Sequence, residues 1–333
     1  MRKIGILGAG TWGMALARVL SNAGHAVTVW SALEQEVIQY AATRKHPNLP
    51  GMEIPAEIVF TGDMAQVCKD KDVLIFAVPS GYVRATAKQA SAYIPDGQII
   101  ADVAKGIEAD TLLTMTGILA DEIKNPTVRF VALSGPTHAE EVAKDLPTTI
   151  VSASADPEAA KTVQSLFRNT CMRVYTNPDI LGVELCGAMK NVMALAAGIA
   201  AGMGYGDNTK AAIITRGITE IARLGTALGC SQDTFFGLTG IGDLIVTATS
   251  VHSRNNRCGM LIGQGVPTKE AIKQVGMVVE GVYALPAAMR LKEKYHVDMP
   301  LAEAVNDIVN GGVDPRQEVA LLMHRRQTPE IIE

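Results

Sequence analysis

Aromatic side chains are scarce in this chain: two Trp, seven Tyr and six Phe make up 5% of 333 residues. No stretch interleaves them with Lys and Arg, so the surface that grips single-stranded nucleic acid by stacking and charge is missing. An excess of charge is missing too. Thirty Lys and Arg face 34 Asp and Glu, a net charge of −4, which offers no general attraction to nucleic acid or to an anionic membrane surface. The five cysteines (Cys68, Cys171, Cys186, Cys230 and Cys258) are odd in number, scattered and form no CxxC. They read as reduced thiols of a cytoplasmic protein, not as a disulfide framework. Six histidines form no HxxH or HExxH, so no metal is expected. The opening MRKIGILGAG has a basic pair without an apolar region or cleavage motif and reads as a first β-strand instead of a signal peptide.

One apolar run, 185–203, is long enough to test as a membrane span. It carries Lys190 and Asn191 inside it, is rich in Ala and Gly, and lacks aromatic or basic flanks. A core helix is expected, with no stable membrane insertion.

Hydrophobic residues are plentiful at 48%, with 19% charged, enough for packed cores, and the length exceeds what one core sustains. Short β-branched runs at 3–7, 26–30, 57–61, 73–78, 98–103, 129–134 and 148–153 alternate with helical spacing, the pattern of a doubly wound parallel sheet. The helical stretch 14–24 stops on Gly24, and 44–55 reads as a loop. After Asn177-Pro178 long helical patterns dominate: 179–203, 208–229, 267–276, 281–295 and 300–311. The expected organisation is an α/β Rossmann-type domain over 1–181 and an all-α domain over 182–333, with a loosely held tail at 324–333.

Gly8, Gly10 and Gly13 form GxGxxG between the first strand and the first helix, the context that makes it a dinucleotide fingerprint. The second strand ends in Trp30-Ser31-Ala32, without the Asp or Glu that reads an NAD ribose or the Arg that accepts a 2′-phosphate. Both cofactors are expected to be tolerated, within about a hundredfold, ~3 kcal/mol.

Lys190 is the oddity. A buried lysine without a partner is costly. On a helix Gly187, Lys190, Asn191 and Ala194 share one face, continued by Ala197 and Gly198. Such small residues leave room either for a ligand or for another helix, with Lys190 snorkelling outward. Asp243 stands in a glycine-rich turn, and Ser253-Arg254-Asn255-Asn256-Arg257 stands at a candidate helix start. That cluster suits a phosphate or, equally, a solvated cap. Lys105-Gly106 and the run Ser134 to His138 follow strand ends, where ligands of doubly wound sheets bind, although a strand-end Lys beside Gly is often a surface turn.

The motifs GILGAGTWGMALARVLSNAGHAVTVW, HPNLPG, AVPS, AKGIE, LSGPTHAEEVA, ELCGAMKNVMALAAGIAAGMGYGDNTKAA, GLTGIGDL, SRNN and GMVVEGV run nearly end to end. Together the chain resembles the bacterial NAD(P)-dependent glycerol-3-phosphate dehydrogenases. The resemblance implies a Rossmann domain followed by a helical domain like the C-terminal part of 6-phosphogluconate dehydrogenase. It implies reversible reduction of dihydroxyacetone phosphate to sn-glycerol 3-phosphate with NAD(H) or NADP(H), for phospholipid synthesis, in a cytoplasmic homodimer. Lys190 matches the proton-transfer lysine. Lys105, Gly135, Thr137, Asp243, Ser253, Arg254 and Asn255 match substrate-contacting positions, joined by Asn191 and Thr247. Thr11, Trp12, Lys105, Ala139, Arg254, Val278 and Glu280 match cofactor-contacting ones, beside Gly8, Gly10 and Gly13. Thr11 and Thr137 replace a commoner Ser, and Gly281 to Ala284 replace residues that are usually polar. The rival expectations are a β-hydroxyacid dehydrogenase of similar architecture, which needs a carboxylate site, and a non-catalytic NAD(P) sensor, which has no use for converging Lys190, Asp243 and Arg254.

Overall fold

The computed structural model describes residues 1–327 and 329–330. The expectation of a loose tail falls partly on residues 328 and 331–333, outside the described residues. The first part alternates strands and helices: β1 (Lys3–Leu7), α1 (Thr11–Asn22), β2 (Ala26–Trp30), α2 (Glu34–Thr43), β3 (Val59–Thr61), α3 (Met64–Cys68), β4 (Val73–Phe76) and α4 (Val83–Ala90). There follow β5 (Ile99–Asp102), α5 (Met115–Ile123), β6 (Arg129–Ser134), α6 (Ala139–Val142), β7 (Thr148–Ala153), α7 (Pro157–Leu166) and β8 (Met172–Asn177). The eight strands lie in the order β3-β2-β1-β4-β5-β6-β7-β8. Every neighbouring pair is parallel except β6 and β7, which are antiparallel.

The central strands are apolar throughout because helices cover both faces. Ile4, Ile6 and Leu7 of β1 and all of Val73 to Phe76 in β4 are 0% exposed. Two apolar clusters, one per face, pack the helices onto this sheet. The strand β8 was not expected from sequence. It sits at the sheet edge, and only its alternation gives it away: Met172 and Val174 are buried, while Arg173 and Tyr175 face out.

Beyond β8 the described residues are helical: α8 (Ile180–Gly202), α9 (Asp207–Ala227), α10 (Gln232–Phe235), α11 (Asp243–Thr249), α12 (Arg254–Gly263), α13 (Thr268–Val275), α14 (Glu280–Tyr295), α15 (Pro300–Val309) and α16 (Pro315–Met323). The axis of this part is α8, packed by α9, α11, α12, α14 and α15. Every residue from Gly182 to Ala200 is buried, as a helix apolar all round must be. By length and composition α8 could cross a membrane, yet 89% of its most apolar window is buried inside the protein.

The small-residue face of α8 meets different neighbours at its two ends. Toward the C-terminus it receives α12: a Cβ on Gly198 would stand 2.1 Å from the Asn256 carbonyl oxygen, and one on Gly259 would stand 2.3 Å from that of Leu195. Gly198→Ala gains about 1 kcal/mol of helix propensity. Rigid backbone on the other side sets an overpacking cost of roughly 3 kcal/mol against it. A net loss of about 2 kcal/mol is expected, read as a lower urea midpoint; an unchanged or higher midpoint contradicts it. Toward the N-terminus the same face opens on the carboxyl ends of the strands, where Gly187 lies against Ser134 and Lys105.

Candidate active site

The glycine loop links β1 to α1. Gly8 has φ +122°, a left-handed conformation that favours glycine, and its N–H donates to the Trp30 carbonyl at 2.9 Å. A Cβ on Gly13 would lie 2.3 Å from the Gly8 oxygen, so helix and strand pack too closely for any side chain there. Gly10 caps α1 without a side-chain hydrogen bond, and nothing lies within 4 Å of the place its Cβ would occupy. The first N–H groups of α1 therefore point into open space, a site that fits the pyrophosphate of a dinucleotide. Thr11 and Trp12 flank it, half-buried.

The other strand ends gather on the same edge. After β5, Lys105 turns inward, its side chain 17% exposed, and donates to Gly135 O at 3.0 Å and to Thr137 Oγ1 at 3.5 Å. Gly135 follows β6 with φ +146°, and Thr137 Oγ1 donates back to its carbonyl at 3.0 Å. Ala139, buried, opens α6 directly afterwards.

From the helical side come Lys190 and Asp243. Lys190 is 6% exposed and Asp243 fully buried. Lys190 Nζ donates to Asp243 Oδ1 and, at 2.7 Å, to Thr247 Oγ1. Thr247 Oγ1 in turn donates to the Asp243 carbonyl at 2.7 Å. Lys105 Nζ reaches the other carboxylate oxygen, Oδ2, at 2.7 Å. One carboxylate thus joins two ammonium groups, one from each side of the cleft.

Sequence left open whether the pKa of Lys190 rises or falls. Here it is pushed down to about 7: burial comes first, Asp243 opposes it, and the neighbouring Lys105 adds to the fall. Burial works against the charge on Asp243 as well, but Lys105 and Lys190 outweigh it and hold that carboxyl below its usual range. Helix α8 is fixed in rotation by Glu184, whose carboxylate accepts from Thr114 Oγ1 at 2.8 Å, Thr116 N at 2.8 Å and Thr116 Oγ1 at 2.6 Å. Lys190 is presented from that anchored helix.

Asn191 and Asn255 bridge three helices. Asn255 Nδ2 donates to Asn191 Oδ1 at 3.0 Å, and Gly281 N donates to Asn255 Oδ1 at 2.8 Å. Asp243 was expected in a turn; it is the first residue of α11, behind a π-helical turn at Leu238–Gly242. Ser253 is the cap of α12, its hydroxyl oxygen accepting from Asn256 N at 3.2 Å. Arg254 opens α12 half-buried and lies within the field of Glu280, whereas Arg257 is exposed. Glu280, the first residue of α14, accepts from Ser80 Oγ at 2.6 Å across the cleft, and the half-buried Val278 precedes it.

The family descriptions agree with this geometry. The model described as NAD-dependent glycerol-3-phosphate dehydrogenase N-terminus matches residues 3–160, and the C-terminus model of the same name matches 179–320. The chain belongs to this family. The NAD(P)+ glycerol-3-phosphate dehydrogenase 2 of Lactobacillus delbrueckii subsp. bulgaricus is 62% identical over 335 residues, covering 99% of each chain. The NAD(P)+ enzyme of Agathobacter rectalis is 50% identical, covering 98% of this chain and 96% of that one. Among solved structures, the crystal structure of glycerol-3-phosphate dehydrogenase from Coxiella burnetii superposes with a TM-score of 0.92 at 36% identity, over 97% of this chain and 99% of that one. The expected architecture, a Rossmann-type sheet followed by an all-α part, is the one observed.

Two cleft residues of this glycerol-3-phosphate dehydrogenase family chain, Ser80 and His252, were not singled out in the sequence, and a third, His138, was met only as the end of the run that follows β6. Ser80 follows the end of β4, and strand-end position alone is the signal that could have found it. His138, after β6, and His252, before α12, bring their rings to 5.8 Å. His138 Nε2 is buried without a partner among the described residues. Burial, then Lys190, lowers its pKa, so the ring is neutral near pH 7.

Proposed function

We infer that this chain catalyses the reversible reduction of dihydroxyacetone phosphate to sn-glycerol 3-phosphate with NAD(P)H, supplying the backbone of glycerophospholipids. The observation that carries the reading is Lys190, a buried amine with a pKa near 7, held by Asp243 and Thr247 at the carboxyl ends of the strands. The bound reduced nicotinamide supplies the hydride. Lys190 gives its proton to the C2 oxygen as charge gathers there, and takes one back in the oxidative direction. Asp243 fixes where that ammonium points, and Lys105 lowers its affinity for the proton. Arg254 holds the phosphate by charge-assisted hydrogen bonds and keeps C2 in register. Asn191, Thr247, Ser253 and Asn255 line the substrate pocket from the helical side, and Gly135 and Thr137 line it from the strand ends. Gly8, Gly10, Thr11, Trp12 and Gly13 hold the pyrophosphate, with Lys105, Ala139, Val278, Arg254 and Glu280 lining the cofactor's other end.

The working unit is a homodimer in the cytoplasm. The burial of α8 inside the chain supports an enzyme that does not insert in membranes. The domain division falls near residue 181, between β8 and the body of α8.

Loss of reduced-nicotinamide absorbance on adding dihydroxyacetone phosphate tests the activity. Reduction of a 3-oxo acid at a higher specificity constant, or no turnover despite cofactor binding, overturns it. The pH profile carries a sign. Reduction needs Lys190 protonated, so kcat/KM for reduction falls about tenfold per pH unit above roughly 7, while kcat/KM for oxidation rises through the same midpoint and then levels. Midpoints near the ordinary lysine value of about 10.4 contradict the role given to burial.

A further inference from the structure

The second strand runs into Ser31, which is 6% exposed and whose hydroxyl is fully engaged. It accepts the Leu33 N–H at 3.1 Å and donates to Glu36 Oε2 at 2.5 Å, five residues on. This laces the first turn of α2 back onto the end of β2. That end is in turn joined to the glycine loop by the hydrogen bond from Gly8 to Trp30. Two side chains report where the Glu36 charge falls. His46, 4% exposed, rests against the backbone of Ala9 in the glycine loop and feels the field of Glu36. Tyr40, also buried, has its hydroxyl pushed up to about 12, by burial first and then by Glu36. The carboxylate therefore overlooks the crevice between the ends of β1 and β2.

Among the described residues Glu36 has no ion-pair partner, and its Oε1 accepts no hydrogen bond. From Ser31 to Thr43 the sequence holds no Lys or Arg. Arg44 is occupied, donating to Pro55 O at 3.2 Å and Ile58 O at 2.9 Å and lying over the Phe60 ring. Glu34 adds a second negative charge to the first turn of α2, offsetting the attraction of that helix terminus for anions.

We propose that Glu36, positioned by Ser31, reads the adenosine ribose: its free oxygen accepts from the 2′-hydroxyl and its charge repels a 2′-phosphate, so this chain favours NADH over NADPH. The proposal rests on the reading that the glycine loop holds the dinucleotide. Sites of this kind place a carboxylate at the end of the second strand. Here the carboxylate comes from the following helix and is bent back by a serine, so the strand end alone shows no preference. Glu36 is half-exposed and screened by solvent, which keeps the discrimination modest, about tenfold or ~1.4 kcal/mol.

The test is calorimetric titration of the full chain with ADP-ribose and 2′-phospho-ADP-ribose, which lack the nicotinamide and report binding without turnover. The wild type is expected to bind ADP-ribose about tenfold tighter, with the gap narrowing as salt is added. Glu36→Gln removes the charge but keeps the shape, and should bring the ratio to within about threefold, mainly through tighter binding of the phosphorylated probe. Ser31→Ala frees the carboxylate to swing away and should land between the two. Equal affinities in the wild type, or an unchanged ratio in Glu36→Gln, overturn the role of Glu36 while leaving the dinucleotide site standing. No binding of either probe overturns both.

Discussion

Lys190→Ala is expected to lower turnover by about four orders of magnitude, the combined scale of a lost general acid and a lost electrostatic stabiliser of the developing alkoxide. Cofactor affinity should stay within about twofold, because Lys190 lies with Asp243 and Thr247 on the helical side, and the phosphate-binding glycine loop is separate from it. The fold should hold as well. Removing Lys190 leaves Asp243 paired with Lys105, one charge against one, in place of two cations sharing an anion. The folded pKa of Lys190 is depressed to about 7, so the fold disfavours its charged form. That cost is fully present below pH about 7, declines as pH rises, and vanishes above the ordinary lysine pKa of about 10.4. Lys190→Met, which fills the same space, should therefore melt no lower than the wild type at neutral pH. Lys190→Arg separates charge from chemistry: a guanidinium keeps the charge but does not give up its proton in this range, so it should be as inactive as the alanine variant. Turnover of Lys190→Ala within tenfold of wild type contradicts the role given to this amine.

How much of this was legible in the sequence depends on how local each cause is. The strands β1, β4 and β6 announce themselves because burial on both faces demands continuous apolar runs. The edge strand β8 is buried on one face only, so Met172 and Val174 alternate with Arg173 and Tyr175 and the signal is short and weak. The placement of α8 was readable from the absence of any polar stripe. The different neighbours of its small-residue face were not, since they depend on where α12 crosses: Gly198 meets backbone, whereas Gly187 meets Ser134 and Lys105. The site residues Lys105, Lys190 and Asp243 stand out by type. The direction of the Lys190 shift does not, because it is a contest among burial, Asp243 and Lys105, set by distances among three elements remote in sequence. The bent-back Glu36 belongs to the same class. A rule about strand ends reads Ser31 and stops, and only the Ser31 to Glu36 hydrogen bond shows which way the next helix turns its charge.

Asp243→Asn should destabilise the protein as well as slow it. The carboxylate is fully buried and accepts from Lys105 on one oxygen and Lys190 on the other. Asparagine keeps one acceptor and turns an NH2 toward the second lysine. Breaking a buried ion pair by removing one partner costs roughly 3–5 kcal/mol, but a lysine can limit that loss by giving up its proton. Lys190, already near 7, is the group poised to do so, and its pKa should fall further. The variant should melt lower, and the pH profile of its residual activity should break below pH about 7. Lys105→Met provides the opposite displacement: it removes a like charge that now lowers Lys190, so the break should move above that value. The double variant, Lys105→Met with Asp243→Asn, removes one of the two orphaned cations and should be more stable than Asp243→Asn alone, a coupling of about 1 kcal/mol or more. Additive losses of stability, or breaks that do not move in opposite directions, would mean that the three charges do not act as one unit.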